Sequence, residues 1–137
     1  MPGYDVLLWP RDSYDPHNWP DTEVGRKMKR LTRNHSINMQ NFDIKIRLIQ
    51  DEIIGKNAFQ DLRNTRNIKS LGSACGTQHT SLWEVKCPKT SKEGVLRVYF
   101  SISSKYRDTI VILDGEFKTE KEADYSMACT RLREGPV

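Results

Sequence analysis

The chain has 137 residues, with 22 Lys or Arg against 18 Asp or Glu, a net charge of +4 and a pI near 9.0. That length suits one domain, residues 1–137, built around one core, and the basic balance favours an anionic partner. The longest apolar runs, Val6 to Trp9 and Ile110 to Leu113, are far too short to span a membrane. With no basic-then-apolar leader at its start, the chain is expected to be cytoplasmic, and the Asn34-His35-Ser36 sequon is read as chance. Cys75, Cys87 and Cys129 are odd in number and lack zinc-site spacing, so unpaired thiols and no metal or cofactor are expected.

Tyr4 to Trp9 alternates as a short strand that Pro10 ends, because proline cannot donate to a ladder. Residues 10–20 hold three prolines and form an extended N-terminal loop. Asp21 and Thr22 are N-cap candidates, with Glu23 in the first turn. Val24, Met28 and Leu31 then fall at i, i+4, i+7, which predicts a helix to about Arg33. Asn38 to Ile54 fits both periods; its length favours a helix, with Phe42, Ile46, Ile49 and Ile53 as the buried stripe and Gly55 as its stop. A further helical turn is predicted around Phe59 to Leu62. The glycine-containing run Leu71 to Gly76 reads as a loop entering the sheet.

Leu82 to Lys86 opens a strand closed by Pro88. Val95 to Ile102 and Thr109 to Leu113 follow as a hairpin rich in β-branched and aromatic residues. A closing helix is predicted from Glu120 to Arg133, with Tyr125, Ala128, Cys129 and Leu132 on one stripe. The order strand, helix, helix, three antiparallel strands, helix defines an α+β fold with a small antiparallel sheet packed against helices. Period-two alternation puts Arg97, Tyr99 and Ser101 on a polar sheet face and Leu96, Val98, Phe100 and Ile102 on the other. An arginine and a tyrosine on that face, with Lys118 nearby, suit a phosphate backbone better than an apolar ligand.

From Ser81 onward the chain resembles the RelE/ParE superfamily of toxin–antitoxin toxins, HigB-like (phage-derived) type. The residues that carry the resemblance are Leu82-Trp83-Glu84-Val85-Lys86, Leu96-Arg97-Val98-Tyr99-Phe100, and Ile110-Val111-Ile112-Leu113 leading to Gly115, Phe117 and Lys118. Ile68-Lys69-Ser70-Leu71-Gly72 resembles the lysine–leucine–glycine segment before the family's sheet, and residues 1–60 match only by element order. Two departures stand out: Asp114 where relatives often have histidine, and a shortened linker at Lys118-Thr119-Glu120.

The resemblance implies a RelE-like fold and a metal-independent endoribonuclease that cleaves mRNA on the ribosome, stops translation, and is silenced by a cognate antitoxin, a helix-turn-helix protein. Such cleavage needs a base for the 2′-hydroxyl, cations for the phosphorane charge and an acid for the 5′-oxygen. Arg97 is the candidate phosphate stabiliser, with pairing to Glu84 on the adjacent strand as its structural alternative. Lys118 is the second cation or proton carrier. Tyr99 stacks a base or relays a proton, unless it simply packs in the sheet. Lys86 and His79 are secondary RNA-contact candidates; His79 can equally be an ordinary loop histidine, and Asp114 a base or a turn cap. His17 and His35 receive no role.

Arg26, Lys27, Lys29, Arg30 and Arg33 open a stretch free of acidic residues through Phe42. They are either RNA-phosphate contacts, with Arg26, Lys27 and Arg30 foremost, or a solvated helix face. Two other functions suit the same chain: a ParE-like inhibitor of DNA gyrase, and a non-catalytic RNA- or protein-binding domain.

Overall fold

The computed structural model describes residues 3–119 and 123–135. In chain order its elements are β1 (Asp5–Leu8), β2 (Asp12–Ser13), α1 (Glu23–Asn34), α2 (Ser36–Gln50), α3 (Gly55–Asn64), β3 (Ile68–Gly72), β4 (Leu82–Cys87), β5 (Val95–Ile102), β6 (Thr109–Lys118) and α4 (Ser126–Glu134). The class is α+β. The sheet, however, has six strands in the order β2-β1-β6-β5-β4-β3, and it is mixed rather than antiparallel, because β1 runs parallel to β6. Residues Thr109 to Asp114 are buried without a break, so β6 needs strands on both edges and cover on both faces. β1 supplies the second edge, with Val6 beside Ile110 and Leu8 beside Ile112.

Helices α1 to α3 cover one face. Thr22 caps α1, its hydroxyl accepting the Gly25 N–H at 3.2 Å, and Val24 and Met28 turn inward. From α2, Met39, Phe42, Ile46 and Ile49 join Phe59 of α3 against Val85, Val98, Phe100 and Ile112. Ile53 lies outside this stripe and is exposed. The reason is that α2 stops at Gln50: Asp51 leaves helical backbone and its carboxylate accepts the N–H groups of Ile53 and Ile54. Gly55 therefore begins α3 instead of ending α2, and the single turn predicted around Phe59 is a ten-residue helix.

The second face differs from expectation. Tyr99 and Ser101 are completely buried, because α4 lays Ala128, Cys129 and Leu132 over Leu82, Tyr99, Val111 and Leu113. Those last three side chains make this half of the face apolar, and a helix must cover it. Helix α4 starts at Ser126, not Glu120; residues 123–125 are non-helical and 120–122 lie outside the described residues. The predicted loop at Leu71 overlaps the end of β3, which pairs Ile68 with Val85 and Lys69 with Glu84 before a short 3₁₀ turn at Ser73–Cys75.

That turn carries a further correction. Cys75 and Cys129 form a disulfide, and only Cys87 remains a free, buried thiol. The bond ties the nine-residue α4 to the approach of β4. No helix among the described residues is long and apolar enough to cross a membrane.

Closing a loop across a separation of 54 residues removes denatured-state entropy worth about 4 kcal/mol in the chain-entropy model. Dithiothreitol should therefore lower the urea midpoint of the wild type substantially and leave Cys129→Ala unmoved. Equal midpoints for oxidised and reduced wild type would show that the bond does not hold α4.

Candidate functional site: a charged rung at the uncovered end of the sheet

Helix α4 stops short of one end of its face. There the register aligns Glu116 of β6, Arg97 of β5 and Lys86 of β4 in one rung, with Tyr99, Glu84 and Lys69 in the next. Directly opposed residues share a face, so these side chains emerge together. Lys118 joins them two residues beyond Glu116. A bulge in β6 opposite Tyr99 and Phe100 shifts the alternation, and it is this shift that brings Asp114, Glu116 and Lys118 onto the α4 side. Gly115 then faces α1, where a Cβ would lie 3.0 Å from the Met28 sulfur.

Arg97 meets its structural partner. Its Nη1 donates to both oxygens of the buried Glu84 carboxylate, each at 3.3 Å, while its Nε is buried without a partner. Charge-assisted pairs are usually shorter, at about 2.7–2.9 Å, and a fork would use two nitrogens. The guanidinium is held in place, but its Nη2 edge makes no hydrogen bond among the described residues.

Tyr99 donates its hydroxyl to Glu116 Oε1 at 2.7 Å and packs edge-on to Tyr125. Burial, then the Glu116 hydrogen bond, push its pKa far up, so it stays a protonated donor. Its ring is inaccessible for stacking on a base. Glu116 Oε1 also accepts the Asp124 N–H at 2.9 Å, and Glu116 Oε2 lies 3.7 Å from Lys118 Nζ. Asp124 in turn has its carboxyl held below the usual range by hydrogen bonds from Ser126. The site thus has an ordered, mostly covered carboxylate near two partly exposed cations, with side-chain exposures of 11% for Glu116 and 25% for both Arg97 and Lys118.

The other candidates scatter. Asp114 is buried and engaged, neither an open base nor a turn cap: Lys27 Nζ donates to it at 2.8 Å, and Arg131 Nη1 lies 3.7 Å away. This takes Lys27 out of the predicted RNA-contact face and turns it toward the sheet. Arg26 pairs with Asp21 at 2.9 Å, leaving Lys29, Arg30 and Arg33 exposed. His79 lies in the loop before β4, at the Leu82–Ser101 end of the strands. Four residues of strand, roughly 13 Å, separate that end from Arg97.

Sequence reasoning missed Glu116, whose signal was its period-two position between Asp114 and Lys118. It also missed Arg131, which is buried in α4, donates to the Leu113 carbonyl at 2.6 Å, and sits over the Trp9 ring. No cluster of three His, Cys, Asp or Glu side chains suited to a metal occurs among the described residues. No family model, no curated protein and no solved structure matches the chain.

Tyr99→Phe deletes the donor that orients Glu116 and leaves the shape of the core intact. A hydrogen bond to a charged acceptor contributes about 1.5–3 kcal/mol, and urea denaturation should show a loss of that order. A loss near zero would mean that water replaces the hydroxyl and that Glu116 is not held by Tyr99.

Proposed function

We propose that the protein is a HigB-like toxin of RelE-like topology, an endoribonuclease that acts on ribosome-bound mRNA and is restrained by a cognate antitoxin. The observation that carries this reading is the half-used guanidinium of Arg97 beside the oriented carboxylate of Glu116, its direct cross-strand partner. The chemistry assigns a role to each group. Glu116 Oε2, whose contact with Lys118 is a long one, accepts the proton of the ribose 2′-hydroxyl. The resulting oxygen attacks the adjacent phosphorus. The Nη2 edge of Arg97 and the Lys118 ammonium stabilise the charge on the phosphorane. The bond to the 5′-oxygen breaks, a proton from Lys118 neutralises the leaving group, and the products are a 2′,3′-cyclic phosphate and a free 5′-hydroxyl. Tyr99 acts as a positioning residue that holds Glu116.

The assignment moves the base from the histidine position of relatives to Glu116, because Asp114 is spent on Lys27 and Arg131. A second reading, a non-catalytic RNA-binding domain, draws on the Arg97–Glu84 pair, which also makes sense as a purely structural contact.

Expression of the wild-type chain should arrest growth and leave new 5′ ends on cellular mRNA, mapped by primer extension. Arg97→Ala, Lys118→Ala and Glu116→Gln should each cut cleavage by about 100-fold or more, the usual scale for losing one group that acts on transition-state charge. Arrest without new 5′ ends would defeat the nuclease reading and favour gyrase inhibition. Soluble, folded protein that is harmless at high expression would favour the binding domain.

A further inference from the structure

The sheet face does not end at Arg97. One strand further, Lys86 opens into a groove of about 390 Å³ lined by Arg63, Arg66, Ile68, Lys69, Ser70 and Lys86. Four of these side chains are cationic and none is acidic. None of the four forms an ion pair among the described residues, although most charged side chains around the Arg97 site are paired. The nearest carboxylate by register, Glu84, is buried and engaged with Arg97. The groove wraps the free edge of β3, and the Lys86 N–H bond to the Asn67 carbonyl, 2.9 Å, fixes β4 against the turn that carries Arg66.

Arg66 is the informative residue. Helix α3 ends in a Schellman arrangement: the Asn67 N–H bonds to the Leu62 carbonyl at 2.9 Å, and the Arg66 N–H to the Arg63 carbonyl at 3.1 Å. Arg66 occupies the left-handed position of that motif, with φ 63°. Glycine is the ordinary residue there, since a Cβ is strained in this conformation. The helix dipole does not account for the arginine, because Arg63 already places a cation in the last turn. A strained arginine at the rim of an all-cation groove has a physical reason if its side chain meets an anion.

We propose that this groove binds the phosphates of a single-stranded RNA segment next to the cleaved bond, so that the strand crosses the sheet from Lys118 through Arg97 and Lys86 to Arg66. This inference rests on the nuclease reading for the direction of the strand. From β6 to β3 is three strand spacings, roughly 15 Å, or about four stacked nucleotides at roughly 3.4 Å each. The contacts are to the backbone and carry affinity without base choice. Arg63, whose guanidinium lies 5.1 Å from the Trp83 ring centre, is braced at the far end.

The test uses the full chain and a nuclease-resistant 2′-O-methyl oligoribonucleotide of about 12 nucleotides, within the usual range of single-strand site sizes, followed by fluorescence anisotropy across a salt series. Arg66→Gly should keep or raise the melting temperature, since it relieves the left-handed strain, yet weaken binding. Arg66→Gly and Lys86→Gln together should reduce the magnitude of the log K against log salt slope by about 1.4, from about 0.7 for each phosphate that is no longer neutralised. Unchanged affinity and slope in the double variant, or no binding by the wild type, overturns the proposal. Tighter binding of a poly-glutamate peptide than of the oligonucleotide overturns it as well and gives the groove to an acidic protein. Groove-dependent binding with no cleavage of an unmodified oligonucleotide or of ribosome-bound mRNA upholds the groove and removes the nuclease.

Discussion

The fold is organised by a strand that must be buried on both faces and yet ends in charge. Thr109 to Leu113 is apolar or neutral throughout, so β6 sits inside the sheet with α1 to α3 on one side and α4 on the other. Past Ile112 its neighbour β1 gives out, because Trp9 makes the last bond of that edge and Pro10 follows. Asp114 falls in the gap. A lone buried carboxylate is untenable, and Lys27 from α1 and Arg131 from α4 converge on it. Arg131 also reaches Glu23 at 3.3 Å. Three elements are thus tied at one point by the requirement that a single charge be neutralised, and removing one partner of such a group typically costs about 3–5 kcal/mol.

This arrangement also decides where a site can exist. The bulge at Leu113 and Asp114 reverses the alternation of β6, so Glu116 and Lys118 emerge on the same side as Arg97. The same face is covered by α4 over Tyr99, Val111 and Leu113. The exposed remainder is narrow, and its far edge continues into the unpaired cations of β3 and α3. Tyr99 links the two halves: its ring belongs to the core under α4, and its hydroxyl orients the carboxylate outside it. Packing and chemistry meet in that one side chain.

Local signals made much of the architecture legible. The Thr22 cap, the stripe Phe42, Ile46 and Ile49, and the alternation of β4 and β5 depend on neighbours in sequence, and the elements they predict are present. What was not legible depends on partners distant in the chain. Nothing local tells that Cys75 will meet Cys129, that β1 will lie parallel to β6, or that α4 will bury a face whose alternation reads as polar. Of the site, the face of Arg97 follows from alternation alone. Asp114, Glu116 and Lys118 share a face by period two, but that this face is the one Arg97 uses does not follow, because a bulge moves side chains between faces and leaves no mark in the residue pattern.

The net charge of +4 is a poor guide to where an anion would bind; the distribution of pairing is a better one. The basic stretch of α1 is the more conspicuous in sequence, yet two of its five cations serve the protein itself, Arg26 on Asp21 and Lys27 on Asp114. At the sheet edge the balance reverses. Glu84, the carboxylate nearest by register, is buried and already shared with Arg97, so Lys69 and Lys86 beside it add field that nothing local cancels. Exposed charges more than about 10 Å apart are largely screened at ordinary salt, which makes local excess matter more than the total. That excess lies at Lys69 and Lys86 with Arg63 and Arg66, whereas Arg97 and Lys118 on the same side of the sheet have Glu84 and Glu116 as carboxylate neighbours.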